Sequence, residues 1–396
     1  MSGGVLIAGA GPVGRSAACV LAGRGVPVTV LEAEPELPVN LRASTFHPPT
    51  LDMLARFGAA QRLIEMGLTA PTLQYRGRDG WCVQFDFGAI ADRTAHPFRV
   101  QCEQYRLNGV LAEYLATRPG AQLRFSSRLA GVEQDAERVV AVVETPRGRE
   151  RMEAAYLIGA DGAKSAAREA IGVALAGYTW PERFLVVSTP FDFAAHFDDL
   201  APVSYFADPE EWFFLLRVAG MWRTMFPTRP EEAEADIMAM ENVQRRLRRV
   251  VDTGRPFEVA HCTLYSVHQR VAERYRAGRV FLAGDAAHLN NPLGGMGMNG
   301  GIHDAFNLAD KLARVLRGEA GAVELGRYER QRRPIAIEYV DTISTRNKRN
   351  LEARDPAERA RFRREMEQTA ADPARAREYL LRIAMIASLE QAARIE

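Results

Sequence analysis

The chain has 396 residues, 47% hydrophobic and 26% charged, a globular mixture long enough for two or three domains; its net charge of +1 gives no footing for nucleic acid or an acidic membrane surface. Cys19, Cys82, Cys102 and Cys262 are scattered without CxxC spacing, which suggests neither a disulfide framework nor a metal site. The apolar opening, residues 5–10, is too short to span a membrane and has no basic leader, so a cytoplasmic protein without membrane contact is expected.

Residues 5–9, VLIAG, read as a buried strand running into Gly9-Ala10-Gly11-Pro12-Val13-Gly14, a GxGxxG match. Helical spacing follows over residues 16–24, and a second strand, residues 28–31, ends at Glu32 and Ala33. Gly9 makes the tight turn, Gly11 lets backbone approach a pyrophosphate, Gly14 lets helix pack on strand, and Glu32 suits a ribose hydroxyl pair. An acid at the end of the second strand is what a dinucleotide site requires.

Residues 72–87 and 183–268 alternate and are rich in aromatics, as in FLVVSTPF, VSYFA, WFFLLRV and MWRTMFP, and predict a mainly antiparallel sheet. Before the longer run, YLIGADGAKSAAR (residues 156–168) is a strand, an Asp161-Gly162 turn and a helix start that Asp161 is able to cap. A tight turn at Ala219-Gly220 would set Val218 opposite Met221, Leu216 opposite Arg223 and Phe214 opposite Met225. One face then carries Trp212, Phe214, Leu216 and Met225 with a single charge, Arg223. Facing a cavity, Arg223 would pair with a substrate anion; at the sheet edge it would snorkel into solvent, and Arg217 on the other face is the competing candidate. Residues 230–251 have the spacing of an outer helix.

Residues 279–312, RVFLAGDAAHLNNPLGGMGMNGGIHDAFNLADKL, pack strand, acidic turn, glycine loop and helix into one stretch. Gly294, Gly295, Gly297, Gly300 and Gly301 read as backbone that something flat approaches, with the helix starting near Met298. Its free N–H groups and dipole favour an anion, or a ring that becomes anionic on reduction, such as a flavin. From Tyr328 onward the chain predicts helices, with new starts at Asp355-Pro356 and Asp372-Pro373.

In this order, GAGPVG, GADGAKSAAR and GDAAHLNNPLGGMGMNGG resemble the fingerprint, DG and GD motifs of the p-hydroxybenzoate hydroxylase-like, single-component flavoprotein aromatic hydroxylases. LRASTFHPPTLDML resembles the family segment whose arginine, here Arg42, reaches the FAD pyrophosphate, and Gln101 matches a glutamine placed on FAD. The resemblance covers nearly the whole chain. It departs at Asp310-Lys311, where many relatives have an aromatic residue before the lysine, and its length leads to the expectation of the shorter branch, without the thioredoxin-like C-terminal domain of many members.

The resemblance implies an α/β fold: a Rossmann-like FAD-binding domain from residues 1–70, 98–176 and 276–317, an inserted, mainly antiparallel substrate sheet from 71–97 and 177–275, and a helical region over 318–396. It implies FAD held by Gly9, Gly11, Gly14, Glu32, Ala33, Arg42, Gln101, Asp161, Asp285, Pro292, Gly295, Gly297, Met298 and Asn299. NADPH or NADH would bind transiently, with Lys164 and Arg42 in reach. The reaction implied is O2-dependent hydroxylation of a small phenolic or heteroaromatic ring through a flavin C4a-hydroperoxide. Tyr205, Pro292 and His47 are the catalytic candidates, Tyr205 by hydrogen bonding the substrate phenol; as a core tyrosine it would have no such role. Apolar Leu216, where carboxylate partners would stand, argues against 4-hydroxybenzoate itself, and a fused-ring substrate stays open. A flavin reductase or dehydrogenase on the same fold, a non-catalytic FAD-binding protein and a homodimer also stay open.

Overall fold

In the computed structural model, residues 3–37, 39, 43–338, 345–353 and 355–396 are described. Arg42 lies outside them.

The continuous apolar runs become a sheet buried on both faces. Val5–Ala8 is central and wholly buried, parallel to Tyr156–Gly159 on one side and to Val28–Leu31 on the other. Val280–Leu282 adds in parallel beyond Tyr156–Gly159, and Ala121–Arg124 beyond Val28–Leu31. Only the edge pair Arg276–Ala277 with Val280–Leu282 is antiparallel. Unbroken burial suits parallel strands, whose crossover helices cover both faces. The register sets Ala8 beside both Leu31 and Gly159, and Gly159 beside Leu282, so Gly9, Glu32, Asp161 and Asp285 emerge at one end of the sheet. Ligands of open α/β sheets bind at that carboxyl end.

Pro12–Gly23 and Gln104–Ala116 pack on the sheet, and on Pro12–Gly23 and the Gly284–Ala286 turn packs a third helix, Met296–Leu316. The last begins two residues before the expected Met298, because Gly295 adopts the left-handed conformation (φ 67°) that ends the preceding loop. Gly297 therefore joins Gly300 and Gly301 in the helix. A Cβ on Gly301 would sit 2.7 Å from Val13 and 2.9 Å from the Gly284 backbone, so its smallness serves close packing on the first helix.

A second sheet of eight strands lies beyond. Its order is His288–Leu289, His261–Ala272, Leu175–Thr189, Met221–Pro227, Phe213–Val218, Val203–Phe206, Thr72–Arg76, Cys82–Asp86. All neighbours are antiparallel except Val203–Phe206 with Thr72–Arg76. The hairpin pairs Phe214 with Met225, Leu216 with Arg223 and Val218 with Met221, the register the turn predicts.

Alternation gives this sheet two apolar faces. Phe206, Phe213, Leu215, Trp222 and Phe226 pack under Met240–Val250. Tyr205, Trp212, Leu216 and Met225 share a cluster with Phe362, Met366, Leu380 and Ile383 of the C-terminal helices. The helix expected over residues 230–251 is two, Glu234–Met238 and Met240–Val250, because Ala239 takes an extended ψ of 128° between them. Pro356–Ala371 and Pro373–Ile383 start as expected, the Asp355 carboxylate accepting from Ala357 N–H and that of Asp372 from Ala374 and Arg375 N–H. The antiparallel sheet of Arg128–Gln134, Val139–Thr145 and Gly148–Ala154 is an addition to the sequence reading. No helix among the described residues is long and apolar enough to cross a membrane.

Candidate active site

The site is built outward from the sheet's carboxyl end. Gly9 leaves the first strand at φ 94°, where a Cβ would lie 2.4 Å from the Ala160 carbonyl, and a Cβ on Gly14 would lie 2.0 Å from the Gly9 carbonyl. Only glycine fits at either position. Gly11 differs: an added Cβ would meet nothing within 4 Å, so its backbone faces open space. The Glu32 carboxylate accepts from Ala10 N–H (3.0 Å) and Glu34 N–H (3.1 Å), which holds it over the glycine turn with Ala33 half-buried beside it.

Asp161 was expected to cap the next helix. The structure gives the cap position to Ser165, whose Oγ accepts from Arg168 N–H, while Asp161 accepts from Ala167 N–H (3.0 Å) and from the Ser165 hydroxyl. With its carboxylate so engaged, Asp161 braces its turn. Arg168 extends this bracing to the GD turn by donating to the Ala286 carbonyl at 3.2 Å. Asp285 is exposed on that turn, and Lys164 is exposed on its own.

The flavin half of the expected site is organised by Asn299, which is fully buried. Its amide donates to Thr45 O (2.8 Å) and Gly295 O (2.7 Å), and its oxygen accepts from His47 N–H (2.9 Å). One side chain thus staples residues 45–47 to the glycine loop. His47, a catalytic candidate, is fully buried, its Nε2 2.8 Å from the Gly294 carbonyl. Burial, then the nearby Arg99 charge, hold its pKa well below the ordinary value, so the ring is neutral and its Nε2–H donates to the loop. Pro292 is exposed on the same loop, its carbonyl accepting from Gly295 N–H at 3.0 Å. Met298 is buried and Gly297 half-buried in the first helical turn.

These residues fit a flavin dinucleotide on grounds internal to the protein. Gln101 is fully buried; its oxygen accepts from Thr45 Oγ1 at 2.7 Å, but its Nε2 has no acceptor among the described residues. A buried amide left so is costly, and a ligand carbonyl or hydroxyl would satisfy it. The Gly295 N-cap has no side-chain capping bond, which leaves first-turn N–H groups directed at the loop.

On the substrate side, Arg223 does not snorkel. It is 4% exposed, its Nη2 donates to Glu103 Oε1 at 2.7 Å and its Nη1 to Ser44 Oγ at 3.0 Å. Glu103 starts the helix Gln104–Ala116, so the pair ties the substrate sheet to the segment carrying Gln101. Arg217 is exposed on the opposite face, over the Trp222 ring.

The cation that stands beside Tyr205 is Arg99, which the sequence reading missed. Arg99 is 3% exposed, lies over the Phe87 ring at 5.2 Å, donates to the Ile383 carbonyl at 3.3 Å and stands within electrostatic reach of Tyr205. Its Nε has no acceptor among the described residues. Tyr205 in turn stacks on Tyr75 (centroids 5.3 Å) and contacts Phe214 (5.7 Å), and the Tyr75 hydroxyl bonds that of Tyr379 at 2.9 Å. Trp212, Leu216 and Met225 are buried in the same cluster, with Leu293 of the glycine loop. The available signal was strand periodicity: Arg99 stands two residues before Gln101 in Arg99–Gln101, hence on the same side.

A dinucleotide cradle at the carboxyl end of a parallel sheet agrees with the comparisons. The family model described as "FAD binding domain" matches residues 3–343. The para-nitrophenol 4-monooxygenase of Pseudomonas sp. (strain WBC-3) is 32% identical over 384 residues, 96% of this chain and 94% of the relative. The 6-hydroxy-3-succinoylpyridine 3-monooxygenase of Pseudomonas putida (strain DSM 28022 / S16) is 33% identical over 364 residues, 89% of this chain and 90% of the relative. The crystal structure of the p-nitrophenol 4-monooxygenase of Pseudomonas putida DLL-E4 superimposes with a TM-score of 0.91 at 31% identity, covering 98% of each chain. With its motifs, fold and these relatives in agreement, the chain belongs to the FAD binding domain family, among the FAD-dependent aromatic monooxygenases.

Proposed function

We propose that the protein hydroxylates a small phenol or hydroxylated heteroaromatic ring, using O2 and NADPH or NADH. The observation that supports this most directly is the buried Arg99 within electrostatic reach of Tyr205, set among apolar side chains next to the His47–Gly294 loop. The relatives' names point the same way, since nitrophenol and hydroxypyridine are single hydroxylated rings. When bound, FAD would supply electrons taken from the nicotinamide and transfer one oxygen atom of O2 to the ring.

The chain's own residues then do four things. Gly9, Gly11, Gly14, Glu32 and Ala33 hold the ADP half of FAD, and Gln101, Asp285, Pro292, Gly295, Gly297, Met298 and Asn299 border the rest, with Asp161 bracing the cradle. The first-turn N–H groups after Gly295 stabilise negative charge on the reduced ring. Trp212, Phe214, Leu216, Met225 and Leu293 exclude water. Arg99 and Tyr205 bind the substrate oxygen and favour the phenolate, the ring form that donates electrons most readily. Arg99 thereby takes the anion-recognising role first considered for Arg223.

The test is a panel of phenols, hydroxypyridines and fused-ring phenols offered with NADPH or NADH in air, read by product analysis. Hydroxylated single-ring products are expected. Products from fused-ring members alone would refute the small-ring assignment, and nicotinamide oxidation that continues without oxygen consumption would indicate a reductase.

A further inference from the structure

The helix Pro12–Gly23 is buried from Gly14 through Ala22, and its interior is apolar apart from Ser16 and one cation, Arg15. Arg15 is 0% exposed, and its Nε, Nη1 and Nη2 all lack a hydrogen-bond acceptor among the described residues. Enclosing a guanidinium with none of its donors satisfied is among the costliest placements for a side chain, and a hydrocarbon there would suit the helix better. Burial brings its pKa down to about 10, with the Glu32 charge opposing, so the group remains a cation at neutral pH. Glu32 lies within electrostatic reach but directs both oxygens at backbone N–H groups, those of Ala10 and Glu34.

Two neighbouring observations indicate what the cation is for. Arg15 stands one helical turn after Gly11, and helical side chains lean back toward the N-terminus, which brings the guanidinium toward the glycine turn. Gly11 is the position in that turn where an added Cβ would meet nothing within 4 Å. Helix N-terminus, open backbone and unsatisfied guanidinium converge on the chemistry of a phosphate oxygen.

We infer that Arg15 is a cofactor-anchoring residue whose guanidinium takes a phosphate oxygen of the AMP half of FAD. This rests on the FAD site described above and adds to it a residue outside the glycine fingerprint. It also assigns Arg15 a division of effect: it strains the flavin-free protein and tightens the flavin-bound one.

The experiment uses full-length protein stripped of flavin, as wild type, Arg15→Leu and Arg15→Met, the last keeping the length of the aliphatic stem. FAD affinity is read by flavin fluorescence, and thermal midpoints are read with and without ADP as a probe of the AMP half. Both variants are expected to bind FAD about tenfold to a hundredfold more weakly, as for loss of a charge-assisted contact. ADP should raise their midpoints less than that of wild type, while their flavin-free midpoints equal or exceed it. FAD affinity within about twofold of wild type would overturn the inference. So would flavin-free variants that melt below wild type, since Arg15 would then serve packing. Wild-type FAD binding separately tests the cofactor site itself.

Discussion

A guanidinium held beside a phenol stabilises the phenolate, whereas one already ion-paired has little left to offer. Arg99 meets the first description and Arg223 the second. In Arg99→Met, bound 4-nitrophenol should titrate roughly one unit or more higher than in wild type, read from its phenolate absorbance; an unchanged titration would remove Arg99 from substrate activation. Tyr205→Phe should keep its flavin yet divert reducing equivalents to peroxide, measured as peroxide released per nicotinamide oxidised. Tightly coupled turnover in that variant would return Tyr205 to the role of a core tyrosine. Arg223→Ala should instead act on folding, because it leaves Glu103 buried without its partner: a loss of about 3–5 kcal/mol in denaturant unfolding, partly recovered by adding Glu103→Gln. Unchanged stability with weakened substrate binding would restore the anion-binding reading of Arg223.

Among the elements, the helix Met296–Leu316 links the glycine loop to the chain's later helices through two buried titratable groups. His303 shares a hydrogen bond with Thr50 (2.9 Å), and burial followed by the Arg332 charge lowers its pKa to about 3. Asp304 accepts from Arg332 Nε (2.7 Å) and lies 2.8 Å from His288 Nε2; burial opposes its charge, but Arg332 and His288 outweigh that and set its pKa at about 2. A histidine depressed on folding contributes its full stability above its unfolded pKa of about 6.5, and loses it as pH falls toward the folded value. A depressed carboxylate does so lower, between about pH 4 and 2. Stability should therefore fall as pH drops below about 6.5, by up to about 1.4 kcal/mol per unit for each such histidine, and His303→Asn should flatten part of that slope. Thermal midpoints across this range check it; identical slopes would exclude His303. This network was only partly legible in the sequence. The three motifs were readable because strand, glycine turn and helix are local in the chain, and the hairpin register followed from a two-residue turn. Arg99, Tyr75 and Tyr379 were not, since their meeting depends on how two sheets and a late helix converge. The break at Ala239 has no glycine or proline to announce it.

For the whole molecule, the glycine loop contributes Leu293 to the apolar cluster of the eight-stranded sheet, and the late helices Pro356–Ala371 and Pro373–Ile383 cover that same cluster. A half-open cavity of about 170 Å³ among those helices is lined by Tyr75, Phe362, Met366 and Tyr379 together with Glu365, Arg375, Glu378 and Arg382, and reaches the Tyr205 stack through Tyr75. The central claim is that O2 is split at a flavin and one atom placed on a small phenol. The most direct measurement is turnover of the FAD-loaded protein under isotopically labelled O2, with 4-nitrophenol and NADPH or NADH, following label in the product against nicotinamide consumed. The account predicts one labelled oxygen per product molecule and one nicotinamide per product, with oxidation accelerated by the phenol. Nicotinamide oxidation indifferent to every phenol tested, or a product whose new oxygen comes from water, would contradict it.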